Sequence, residues 1–145
     1  MFSSIPIMLI EDDCIDAISV KRVLKDLEVT NPLVHSTNCR EALEYLRDPN
    51  NEKPCFILTD LNTAEMGALE FLRVIQEDDV LSQIPVIILS GSVSQEEVIG
   101  SFKLGVSGYM VKPDGYKDLV ETIRTIHTYW TLSKSPIGNL ASSSA

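Results

Sequence analysis

The run Cys55-Phe56-Ile57-Leu58-Thr59-Asp60 decides how this chain is read. A mostly apolar stretch ends in a carboxylate, with Pro54 before it and the polar Asn62, Thr63 and Glu65 after it. An apolar run of this length with a charged end predicts a strand buried on both faces, as in a parallel sheet. Open parallel sheets bind ligands at the carboxyl ends of their strands. An acidic side chain there can reach solvent instead of being buried unpaired. Asp60 is therefore a candidate for chemistry. Asp also opens turns, and the stretch by itself leaves both readings open.

Outward from it, the pattern repeats. Residues 5–10 form an apolar strand ending in Glu11-Asp12-Asp13, and residues 33–37 a shorter, less apolar strand nearer a sheet edge. Residues 84–89 end in Ser90-Gly91-Ser92, and residues 109–111 in Lys112-Pro113. Helices are predicted between the strands. The first, over 14–27, is capped by Asp13 and turns Ile18, Val23, Leu24 and Leu27 inward. The second, over 39–47, is capped by Asn38, and the third spans 66–77. The fourth opens on the capping box Ser94-Gln95-Glu96-Glu97 and closes at Gly105. The fifth covers 116–131, with Leu119, Ile123, Ile126 and Trp130 inward. Five strands alternating with five helices predict an α/β fold: a doubly wound parallel sheet with right-handed crossovers. In the flavodoxin-like (βα)5 order 2-1-3-4-5, Asp60 lies in the middle of one edge. Glu11-Asp12-Asp13 falls on one side of it, Ser90 and Lys112 on the other.

Singly, each of these residues has an ordinary explanation: an acid as a helix cap, Ser as a turn residue, Lys as a solvated charge. Their coincidence on one edge favours a site. Clustered carboxylates raise one another's pKa unless a cation is near. A hard divalent ion such as Mg²⁺, bound through oxygens, relieves this. An ionised Asp beside such an ion can attack phosphorus. Phosphoryl transfer needs positioning and charge neutralisation. The ion and Lys112 supply the neutralisation, and Ser90 a hydrogen bond to a phosphoryl oxygen.

With 145 residues, 44% of them hydrophobic and 23% charged, the chain suits one soluble domain. We expect residues 1–132 to form it and 133–145, rich in Ser and small residues, to be a flexible tail. The net charge of −9 argues against nucleic-acid binding. No apolar run reaches bilayer length and no signal peptide is apparent, so a cytoplasmic location is expected. Cys14, Cys39 and Cys55 lack metal spacing and read as free thiols. The lone His35 and His127 read as structural or surface residues.

These motifs resemble the receiver domain of bacterial two-component response regulators. The likeness rests on Ile10-Glu11-Asp12, Asp60-Leu61-Asn62, Ser90-Gly91 and Tyr109-x-x-Lys112-Pro113, in that order over about residues 5–130. The acidic pair followed by Asp16, the long third loop and Tyr129-Trp130 are most similar to single-domain regulators that partner phytochromes. The resemblance implies that Asp60 accepts a phosphoryl group from the phosphohistidine of a sensor histidine kinase. It implies that Asp12, Asp60 and the backbone carbonyl of Asn62 bind Mg²⁺, with Glu11 acting mainly through water. Lys112 would pair with the phosphoryl group, and Ser90 and Tyr109 would form the switch. Asn62 and Ser92 would tune hydrolysis. A downstream protein would read the switch, and a second copy of the chain is a further partner. The segment after Asp60 departs from the family, with Ala64 where Pro is usual, Ala68 where Gly is usual, and Gly67 one place early. An altered loop leaves a second reading, a pseudo-receiver that binds partners without being phosphorylated. A third, an aspartate-nucleophile phosphatase, is disfavoured because Asn62 stands where a proton-transferring Asp is needed. An FMN carrier is disfavoured by acids where its phosphate loop belongs.

Overall fold

The computed structural model describes residues 5–60, 66–91 and 94–133. Its strands are β1 (Ile7–Ile10), β2 (Leu33–Ser36), β3 (Ile57–Thr59), β4 (Val86–Ser90) and β5 (Gly108–Val111). Its helices are α1 (Cys14–Asp26), α2 (Cys39–Arg47), α3 (Ala68–Gln76), α4 (Gln95–Lys103) and α5 (Tyr116–Leu132). All strand pairs are parallel, in the order β2-β1-β3-β4-β5. That is the predicted order, with the less apolar β2 at an edge.

Successive side chains of a strand point to opposite faces, and this alternation builds two cores. Met8, Ile10, Ile57, Val86 and Ile88 meet Ala42, Leu43 and Leu46 of α2 and Phe71, Leu72 and Ile75 of α3. Ile7, Leu9, Leu58, Ile87 and Leu89 meet Ala17, Val20, Val23 and Leu24 of α1 and Leu119, Ile123 and Ile126 of α5. Strands buried on both faces must be apolar throughout, which is why the runs read so clearly.

The caps follow the sequence. The Asp13 carboxylate accepts from the Ile15 and Asp16 N–H groups at 2.9 and 3.1 Å. The Asn38 side chain accepts from Glu41 N–H at 2.8 Å, and Ser94 Oγ from Glu97 N–H at 3.4 Å. Gly105 follows α4 at φ +89°, a conformation that disfavours other residues. A Cβ there would also run into the side-chain amide of Gln76.

Three expectations are corrected. Ile18 is not inward but 62% exposed; the buried stripe of α1 is Ala17, Val20, Val23 and Leu24. Helix α3 begins at Ala68, not 66, with Gly67 as its cap residue. The strand drawn over 55–60 is shorter, Ile57–Thr59, although Cys55 and Phe56 before it are buried. A short 3-10 turn at Leu81–Gln83 is additional. The Asp78 carboxylate organises it, accepting from Val80 and Leu81 N–H groups at 2.9 Å each. Among the described residues no helix is long and apolar enough to cross a membrane.

Candidate functional site

Strand register brings the site together. Ile10 pairs with Thr59, and Thr59 with Ile88, so Glu11 and Asp60 both lie one residue past a matched pair. Adjacent strands are about 4.8 Å apart, which sets the two carboxylates side by side. Ser90 pairs with Val111 at the ends of β4 and β5. The next residue, Lys112, donates its backbone N–H to the Ser90 carbonyl at 2.7 Å. The chain is thereby held where the long Lys112 side chain can reach back across two strands.

Its ammonium donates to three carboxylates. Nζ lies 2.9 Å from Asp60 Oδ2, 2.9 Å from Asp16 Oδ2 and 3.2 Å from Glu11 Oε1. Side-chain exposure grades the set: Glu11 5%, Asp60 18%, Lys112 20% and Asp16 40%. Glu11 is the deep member. Burial pushes its pKa up, against the pull of Lys112 and a hydrogen bond from Asp13 N–H. At Lys112 burial opposes the charged form, but hydrogen bonds to Asp16 and Asp60 and the charges of Glu11 and Asp60 outweigh it and push its pKa up. The ammonium is the group that lets these acids coexist.

A cavity of about 120 Å³ opens beside the set, lined by Glu11, Asp16, Asp60 and Lys112 and floored by Leu9, Leu58 and Leu119. Tyr116 also lines it. The Tyr116 hydroxyl donates to Asp26 at 2.7 Å, and the Arg22 guanidinium stands over its ring at 4.9 Å. His35 Nε2 lies 2.9 Å from the Glu11 carbonyl oxygen, which steadies the backbone at the end of β1.

The structure thus joins Glu11, Asp60 and Lys112, with Ser90 buried at the adjoining strand end. Asp12 is exposed next to Glu11 and does not line the cavity. Tyr109 is half-buried on the face that carries α2 and α3. Asn62, Ser92 and residues 63–65 of the altered loop 63–68 lie outside the described residues, as does 134–145, whereas Gly67 and Ala68 of that loop cap and open α3. Asp16 is the member that sequence reading missed. Its signal was present: Asp16 heads the stripe that continues through Val20 and Val23 at helical spacing. Placing Ile18 inward turned the helix so that Asp16 faced away.

Among the described residues no three His, Cys, Asp or Glu side chains converge as ready metal ligands. The donor set nevertheless suits a hard cation: oxygen only, carboxylates outnumbering the single ammonium they share, and one acid largely buried. Cys55 offers no competing nucleophile, since burial pushes its thiol up to about 11.

Comparison with known proteins decides the lineage. Residues 7–124 match the model of the response regulator receiver domain. The chain belongs to the response regulator receiver family. This receiver is 31% identical over 128 residues to the response regulator Rcp1 of Synechocystis sp., covering 86% of this chain and 87% of that one. It is 29% identical over 120 residues to the chemotaxis protein CheY of Pseudomonas aeruginosa, covering 83% and 94%. Among solved structures, the receiver superposes on the phosphorylated cyanobacterial phytochrome response regulator RcpA with a TM-score of 0.86 at 28% identity, covering 94% and 99%. On the Mn²⁺-bound form of Rcp1 the TM-score is 0.83 at 30% identity, covering 90% and 98%. The likenesses confirm the flavodoxin-like fold and the receiver assignment, which place this domain in two-component signalling.

Proposed function

We propose that this receiver is a phosphoryl-accepting switch, with Asp60 as the acceptor. The reading is carried by one observation: the Lys112 ammonium sits 2.9 Å from Asp60 Oδ2 at the centre of the sheet's carboxyl edge. The donor is a phosphohistidine of a sensor histidine kinase. As the phosphorus–oxygen bond to Asp60 forms, the phosphorus–nitrogen bond breaks and its electron pair leaves on the imidazole. Asp60 needs no base, because it attacks as the carboxylate. Lys112 moves from carboxylate to phosphoryl oxygen, and Ser90 donates a further hydrogen bond. Asp12, Asp60 and the carbonyl of Asn62 would hold Mg²⁺, with Glu11 acting through water. The ion supplies charge neutralisation at the phosphoryl oxygens. Ser90 and Tyr109 carry the change to the protein-binding surface, and Asn62 and Ser92 set how long the acyl phosphate survives. Residues 1–132 form the working unit, with 133–145 a tail. Likeness to a phytochrome response regulator supports a phytochrome-type kinase as partner.

The test is Mg²⁺-dependent binding of beryllofluoride and phosphorylation by acetyl phosphate, followed by calorimetry and intact mass. We expect one equivalent on the wild type and none on Asp60→Asn. A wild type that takes neither would leave the pseudo-receiver reading in its place. Modification that survives Asp60→Asn would move the acceptor elsewhere.

A further inference from the structure

Asp16 is unaccounted for by the roles above, yet it holds Lys112 at the same 2.9 Å as Asp60 does. It differs from the other two acids in kind. Glu11 and Asp60 sit at strand ends on the sheet, whereas Asp16 sits in the first turn of α1. A carboxylate is at ease in a first turn without any partner, and Asp16 is the most exposed of the three, at 40%. It can therefore take up or release the ammonium at little cost. Glu11, 5% exposed, is fixed in place by the Asp13 N–H and by its own burial.

We propose that Asp16 is a positioning residue that holds the Lys112 ammonium at the rim of the site and competes for it with the group arriving on Asp60. The inference rests on the receiver reading given above. In the resting state Asp60 cannot give its full charge to a cation while it shares Lys112. Asp16 offers the ammonium a second oxygen beside that of Glu11, so Asp60 can turn to the cation while Lys112 is still held by two carboxylates. Once an anion sits on Asp60, the same carboxylate has the opposite effect. It draws Lys112 away and adds a negative charge close to the incoming one. Asp16 thus favours the cation and disfavours the anion, both through one lysine.

That opposition gives a signature that loss of structure cannot imitate. Mg²⁺ affinity, and beryllofluoride affinity at saturating Mg²⁺, are measured by calorimetry on the wild type, Asp16→Asn and Asp16→Ala. Both variants are expected to bind Mg²⁺ more weakly and beryllofluoride more tightly, each by roughly three- to tenfold, the scale for unit charges a few ångström apart when water screens them, as it does at a carboxylate 40% exposed. The Mg²⁺ measurement is repeated in Lys112→Met. There, Asp16→Asn is expected to change affinity by less than twofold, because the intermediary is gone. Affinities that move in the same direction, or not at all, overturn the proposal. An equal change with and without Lys112 also overturns it, since Asp16 would then act only as a nearby charge. A wild type that binds no beryllofluoride would overturn the phosphoryl-acceptor reading and this inference with it. Normal wild-type binding with an unresponsive Asp16 would overturn this inference alone.

Discussion

Lys112 does at residue scale what no carboxylate around it can do for itself. Glu11 is buried, and its ionised form is tolerated because an ammonium lies 3.2 Å away. Removing one partner of a buried pair leaves the other uncompensated. Lys112→Met is expected to destabilise the fold by about 1–3 kcal/mol at neutral pH in urea unfolding. Adding Glu11→Gln should recover part of that loss, because a neutral amide needs no counter-charge; a double variant as unstable as the single one would contradict this account. The acids and the lysine were legible from sequence because each ends a recognisable strand. Asp16 was not, because it ends nothing. It lies inside a helix, where only the correct rotation of the apolar stripe shows which way a side chain points.

At the scale of elements, periodicity and capping chemistry located all five strands and all five helices, and hydrogen-bond geometry explains why. Asp13, Asn38 and Ser94 each accept an N–H that their helix would otherwise leave unpaired. Asn38→Ala is expected to cost about 1 kcal/mol in thermal or urea unfolding. The stop at Gly105 combines positive φ with close approach of Gln76. What sequence did not show were features set by tertiary contact. The turn at Leu81–Gln83 depends on Leu81 entering the core beside Ile84. The exact start of α3 depends on where Ala68 becomes buried. On α1, Ile18 resembles a core residue by type, but the space at the sheet is taken by Ala17 and Val20. Hydrophobicity alone gives a stripe's existence, and packing gives its phase.

For the molecule as a whole, α5 closes one face of the sheet and brings a titratable group with it. Burial pushes the His127 pKa below its ordinary 6.5. The unfolded chain therefore takes up a proton that the folded one resists. This contribution to stability is complete above pH 6.5 and is lost as pH falls through the lowered folded value. His127→Gln should flatten that part of the profile, so the stability difference between variant and wild type should change between pH 7 and pH 5. Urea midpoints across that range check it, and parallel curves for the two proteins would refute it.

The same helix carries the chain's one tryptophan. Trp130 stacks on Phe56 with ring centroids 6.1 Å apart, and its buried Nε1 has no hydrogen-bond partner among the described residues. Phe56 immediately precedes β3, the strand that ends one residue before Asp60. The protein therefore contains its own optical probe. An indole in this setting emits toward the blue, and it reddens when α5 lifts from the sheet. Fluorescence from a single site thus reports, without any label, whether the helix covering the strand that leads to Asp60 is docked or open.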